Sequence, residues 1–225
     1  MFHKNYSKTI FTSVIFLMAL CAILSDSYGQ EYFFIVFKPL TTILILLFAV
    51  VYANKKNSYY RWVVLALCFC LLGDVLLLVE SYFIGGLVAF LIAHLCFACS
   101  FISLDGFKKY LVPLIFLLVF GVTYYSILYD SLKGLKIPVL VYFVIIILMS
   151  WQGISLRIWK DHRSFTMIAI AVVLFLISDS VLAWSKFKSS FQLSGVLVLA
   201  TYWSSIFLIA VSTIEHKIES RGNKD

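Results

Sequence analysis

The chain has 225 residues, of which 63% are apolar and only 13% charged, and its mean hydropathy is +1.02. Soluble globular domains run at about 45–50% apolar and about 25% charged, so this composition excludes disorder, collagen, coiled coil, a disulfide-stapled secreted domain and an ordinary cytosolic enzyme. A membrane-embedded chain is what remains. The net charge of +7 lies between hydrophobic runs, where it reports orientation and contact with anionic lipid rather than nucleic acid.

Eight apolar runs follow one another, at residues 9–24, 33–52, 62–79, 84–102, 110–128, 137–156, 166–184 and 193–214. Each can cross a hydrocarbon core of about 30 Å as a helix. The runs are continuous rather than alternating, which excludes a β-barrel, and the short loops leave no soluble domain. The expected fold is all-α: a polytopic bundle forming one integral membrane domain over residues 1–225. The basic n-region, the stretch 10–24 and Ser27-Tyr28-Gly29 also resemble a cleavable signal peptide, and cleavage would leave seven spans.

Lys and Arg set the orientation. With the N-terminus inside, the cytoplasmic segments hold Lys4, Lys8, Lys55, Lys56, Arg61, Lys108, Lys109, Arg157, Lys160, Arg163, Lys217, Arg221 and Lys224, which is 13 of 18. Lys133, Lys136, Lys186 and Lys188 fall outside, and the first two outer loops carry Asp26, Glu31 and Glu80 without a base. The positive-inside rule predicts N-in and C-in.

An ionisable group within a span costs about 2.5–3.5 kcal/mol or more, so each needs a reason. Lys38, Asp74, His94 and Asp179 are such groups, and Glu80 sits at the rim of the third run. At 1.5 Å per residue, Asp74 lies roughly 18 Å and Asp179 roughly 20 Å from the cytoplasmic ends of their runs, and Lys38 roughly 8 Å from the outer end. The two carboxylates and the ammonium thus share one layer. Lys38 can neutralise only one acid as interhelical glue. The acid nearer Lys38 is expected to be ionised and the other neutral, the split that an acid and a stabilising base require.

Pro39, deeper in its run than Pro113 or Pro138, frees the carbonyl of Ile35 and calls for a polar partner such as water or Lys38. His94 shares a stripe with Phe83, Leu87, Phe90 and Phe97 that should face protein, as a hydrogen-bond donor or a catalytic group. Tyr124, Tyr125, Tyr142 and Tyr202 can line a cavity or simply pack. The five cysteines complete no metal-ligand pattern, and no cofactor motif appears. Ser194, Thr201, Ser204, Ser205 and Ser212 are expected to bond to neighbouring helices. Leu72-Gly73-Asp74 and Ile177-Ser178-Asp179, each with a leucine three residues after the Asp, suggest a parallel duplication of two four-helix halves.

An ordered set of motifs runs from about residue 33 to 210. It comprises Lys38-Pro39-Leu40, Leu72-Gly73-Asp74-Val75-Leu76-Leu77, Gly86-Leu87 with Phe90 and His94, and Pro138 with Tyr142. Ser178-Asp179 with Leu182-Ala183 and Phe187, and Tyr202-Trp203, complete it. The set resembles the YhhN family of multi-pass membrane proteins, whose animal members are lysoplasmalogenases. Phe97 and Trp203 depart from it, standing where tyrosine is expected more often.

The resemblance implies hydrolysis of the vinyl ether of a lysophospholipid substrate, with Asp74 and Asp179 as the catalytic pair. Lys38, His94, Tyr202 and Glu80 would bind substrate or support the charge. No cofactor or metal and no nucleic-acid partner is implied. The partners are the lysolipid and membrane lipids, and the oligomeric state stays open. A proton-coupled transporter would carry the same buried carboxylates and broken helix, and a silent lipid-binding scaffold would keep the same fold.

Overall fold

The computed structural model describes residues 2–53 and 57–222, with side chains described for 6–53 and 57–215. Among them, eight helices are long and apolar enough to cross a membrane. They are α1 (Phe2–Ser27), α2 (Glu31–Tyr52), α3 (Ser58–Leu76), α4 (Phe83–Asp105), α5 (Leu111–Leu128), α6 (Lys136–Trp159), α7 (Arg163–Phe187) and α8 (Ser194–Gly222). The chain is an all-α integral multi-pass membrane protein. Of the bases that set the expected orientation, Lys55, Lys56 and Lys224 lie outside the described residues, as do the side chains of Lys4, Lys217 and Arg221.

Lipid tails are as apolar as leucine, so helices in a bilayer associate through close packing and polar contacts. Small residues mark the tight seams. A methyl group at Gly73 of α3 would come within 2.6 Å of the Phe90 ring of α4, and one at Gly86 within 2.6 Å of Leu77. Gly153 brings α6 against Val172 of α7 in the same way. The hairpins α3–α4 and α7–α8 pack most intimately. Helix α2 lies against α3 and α8, α6 lies against α4 and α7, and α1 and α5 cover α2 and α6 from outside.

Several boundaries follow from local chemistry. Asn57 caps α3 through its side chain, which accepts the Tyr59 N–H at 3.2 Å. Gly106, at φ +75°, ends α4 while its N–H still bonds to Ile102. Pro113 and Pro138 occupy first turns, where a missing N–H is harmless. The third helix ends at Leu76, short of the expected residue 79. Leu77 and Leu78 tighten into a turn, and Leu77 seats on Gly86, so an apolar turn was indistinguishable from helix by hydropathy. Helix α2 runs unbroken through Pro39, and among the described residues no side chain bonds to the freed Ile35 carbonyl.

The hydroxyls of α8 mostly turn inward on their own helix. Thr201 bonds to Leu197, while Ser212 bonds to Ile209 and also meets Tyr59 of α3 at 2.5 Å. Ser205 is buried without a hydrogen-bond partner among the described residues. Of the expected interhelical set, only Ser212 bridges two helices in the described contacts.

Candidate active site

The two intramembrane aspartates sit in separate nests, each built by three helices. Asp74, two residues before the end of α3, is 1% exposed. Its Oδ2 accepts the Thr42 hydroxyl of α2 at 2.6 Å and the Tyr202 hydroxyl of α8 at 2.9 Å. The Trp203 indole N–H donates to Thr42 Oγ1 at 3.2 Å and fixes that hydroxyl's orientation toward the carboxylate. The Tyr202 ring meets Phe90 and Phe175 edge-on, both at 5.6 Å between centroids. Gly73 leaves the space that lets Phe90 reach this position.

Asp179, in the last third of α7, has one hydrogen-bond donor among the described residues. The Tyr142 hydroxyl of α6 donates to its Oδ2 at 2.6 Å. His94 of α4 places Nε2 at 3.5 Å from the same oxygen, beyond a good hydrogen bond for this pair. Both ring nitrogens of His94 are buried without a hydrogen-bond partner among the described residues. Phe175 and Tyr142 hold the imidazole edge-on, at 4.5 Å and 5.2 Å between centroids. A fully buried imidazole with two idle nitrogens is a costly arrangement, and such exceptions concentrate where chemistry needs them.

Asp179 also opens onto a cavity. A narrow pocket runs between α4, α6 and α7, from Phe83 and Phe187 at the bundle end down past Leu87 and Phe143 to Ile146 and Leu176. Its wall is apolar apart from Asp179, Ser180 and the Tyr142 hydroxyl. Asp74 does not line it.

The other expected residues divide. Tyr202 joins Asp74 and His94 joins Asp179. Lys38 is buried at 8% exposure, yet among the described residues it makes no ion pair within 4 Å. Its ammonium lies 5.5 Å from the Phe34 ring, and Asp74 and Asp26 are the charges it feels. The expected direct neutralisation of an aspartate is therefore replaced by an interaction at longer range. Thr42, one turn further along α2, takes the position against Asp74, while the long lysine stem extends toward the helix end. Glu80 stands apart from both nests. It lies on a 3₁₀ turn (Glu80–Tyr82), its side chain is 89% exposed, and it pairs with Lys186 at 3.0 Å.

Thr42 and Phe175 are site residues that the sequence reading did not single out. Thr42 carried a usable signal, since it is polar and four residues from Lys38 on the same face of α2. Phe175 carried none, being one of 21 phenylalanines in the chain.

The chain is 28% identical to lysoplasmalogenase TMEM86B of Mus musculus over 181 residues, 80% of this chain and 74% of that protein. The human lysoplasmalogenase TMEM86B is 26% identical over 167 residues, 73% of this chain and 69% of the relative. The membrane protein YhhN of Escherichia coli O157:H7 is 29% identical over 182 residues, 79% and 85% of the two chains. No solved structure matches. Residues 33–213, which include both aspartate nests, match the YhhN family, and the chain belongs to that family.

Proposed function

We propose that this protein is a membrane-embedded hydrolase that cleaves the vinyl ether of lysoplasmalogen-type lipids to a fatty aldehyde and a glycerophospho-alcohol. One observation carries the reading: Asp179 stands beside an idle imidazole on the wall of an apolar pocket. The names of the mammalian relatives support it.

A vinyl ether hydrolyses through its β-carbon. Asp179, protonated, gives its hydrogen to that carbon, and the π electrons form the new C–H bond. The positive charge is then shared between the former α-carbon and the ether oxygen. The Asp179 carboxylate, kept in place by Tyr142, faces this oxocarbenium ion, much as a carboxylate does in glycoside hydrolysis. His94 orients water through Nε2. The water oxygen adds to the cationic carbon, and its released proton returns to Asp179. Collapse of the hemiacetal breaks the carbon–oxygen bond, leaving aldehyde and alcohol, so the net reaction consumes one water.

Asp74 is the standing anion. Two hydroxyls donate to its Oδ2, and Lys38 is buried on the neighbouring helix α2, a donor set and a cation that suit a carboxylate. Across the ring layer of Tyr202 and Phe175, its charge supports the cation formed near Asp179. The positive-inside count orients the chain N-in and C-in, so the pocket mouth faces the outer leaflet and a single-chain lipid enters sideways from it. The two halves derive from a parallel duplication, with α3 and α7 as counterparts.

Purified protein in detergent, given lysoplasmalogen and assayed for aldehyde, tests this. Wild type should release aldehyde without any gradient, whereas a carrier would release none. Loss of turnover in both Asp74→Asn and Asp179→Asn, with unchanged helical content, would support two carboxylates. A near-normal rate in either variant would overturn the mechanism.

A further inference from the structure

The pocket that Asp179 lines has a charged mouth. Phe83 and Phe187 form its rim, with centroids 6.1 Å apart and rings nearly perpendicular. The Lys186 ammonium lies over the Phe83 ring at 4.9 Å and bonds to Glu80 Oε1 at 3.0 Å. Two other bases toward this end of the bundle are placed differently. Lys136 is turned onto Tyr129 at 3.8 Å, and Lys38 belongs to α2, which does not line the pocket. Lys186 and Asp179 are seven residues apart on α7, two turns along one face and about 10 Å of axial rise.

We propose that the Glu80–Lys186 pair is the head-group station of this pocket. The lysolipid phosphodiester takes the Lys186 ammonium, and a head-group ammonium takes the released Glu80. The proposal rests on the pocket being a lysolipid slot, and it names the part of the substrate that the mouth reads.

Three features carry it. First, the reach agrees: a vinyl ether and a glycerol backbone separate the reacting β-carbon from phosphorus by a length comparable with two helical turns. With the reacting carbon at Asp179, the phosphate arrives at the level of Lys186. Second, the exchange costs little. The side chains are 36% and 89% exposed, and an exposed ion pair contributes about 0–1 kcal/mol, so a charged ligand can replace it. Glu80 is carried on a 3₁₀ turn between α3 and α4, while the Lys186 ammonium sits over the Phe83 ring, so the lysine is the fixed partner and the glutamate the movable one. Third, the pair matches a zwitterion. A mouth built to take any anion would carry bases alone, whereas one cation beside one anion complements a phosphate followed by an ammonium.

Binding and turnover together test the assignment. Two non-cleavable alkyl ethers serve as probes, 1-alkyl-glycerophosphoethanolamine and the head-group-free 1-alkylglycerol. Each competes with a fluorescent lysolipid on the full chain in detergent. Lys186→Met should weaken the phosphoethanolamine ligand about fivefold, in line with about 1 kcal/mol for a lysine at a lipid surface, and leave alkylglycerol unchanged. Glu80→Gln should improve relative affinity for an alkylglycerol phosphate, which has no ammonium, over the phosphoethanolamine ligand.

In turnover with the vinyl ether substrate, Lys186→Met should raise KM by a similar factor with kcat retained. A pair that merely ties α7 to the turn would shift both ligands equally or neither, and either result overturns the proposal. If wild type binds the probes with this selectivity but releases no aldehyde, the station stands and the hydrolase reading falls.

Discussion

The two aspartate nests are built from the same parts and finished differently. Each places its acid on the first helix of an intimate hairpin, α3 or α7, and each receives a tyrosine hydroxyl from another helix. Around Asp74 the polar groups are satisfied. Two hydroxyls donate to one oxygen, an indole secures one of those hydroxyls, and the pocket that Asp179 lines does not include Asp74. Around Asp179 the network is left incomplete among the described residues, with one donor, an imidazole at 3.5 Å whose nitrogens find no hydrogen-bond partner there, and an apolar pocket alongside. A completed buried network holds a charge in place. An incomplete one keeps groups available for a ligand. In the proposed mechanism, the contrast corresponds to a fixed charge in the first nest and the proton in the second.

The largest expected effect follows from that division. Asp179→Asn removes the carboxyl group from the pocket wall, and general acid catalysis supplies about 10²–10⁴ in rate. Its kcat should fall about 10³-fold while binding of a non-cleavable alkyl ether is retained, measured by aldehyde release and competition on one preparation. Asp74→Asn should lower kcat less, by about 10- to 100-fold, because it weakens a field and leaves the donor intact. It should also lower thermal stability, since two buried hydroxyls lose an ionised acceptor. If the two variants lost equal rate and equal stability, the nests would not differ in role.

The tyrosines sharpen the contrast at smaller scale. Tyr142→Phe should reduce kcat about tenfold, because Asp179 loses the contact that orients it. Tyr202→Phe should cost about 1–2 kcal/mol of stability with a smaller change in rate, because Thr42 still holds Asp74. Thermal melts and initial rates on both variants separate the outcomes. A rate-dominated loss in Tyr202→Phe, with the stability loss in Tyr142→Phe, would exchange the two assignments.

The membrane architecture was legible because hydropathy and length are set by the bilayer, and the eight runs became eight helices. The ends were less so. At 77–79 the residues stay apolar through the turn, because a leucine packing on Gly86 meets the same solvent as one in a helix. The polar residues of the site were legible for the same reason as the spans, since Asp74, His94 and Asp179 are conspicuous among so few charges. Their partners were not. Axial depth can be counted from rise per residue, but azimuth depends on how helices pack, so depth alone suggested Lys38 against an aspartate where Thr42 stands. The same ambiguity hid Lys186. As one of the bases near a helix end it reads as an interface anchor, and only the packing on Phe83 ties it to the pocket.

The smallest effect expected concerns the deep end of the pocket, where the nests diverge in what they can admit. Leu176 lies three residues below Asp179, about 4.5 Å of rise, and faces the same cavity. A lipid whose head group is at the mouth and whose vinyl ether is at Asp179 extends its first tail carbons past this side chain. Leu176→Phe fills that space and Leu176→Ala extends it. Burial of one methylene contributes about 0.8 kcal/mol, so each should change relative kcat/KM for substrates differing by one methylene up to about fourfold. The phenylalanine should favour the shorter chain and the alanine the longer. Trp203→Phe, in the closed nest, should alter rate through Thr42 and leave chain-length preference as it was. A preference that moved with Trp203 and ignored Leu176 would mean that the tail passes Asp74, and the roles of the two aspartates would have to be reversed.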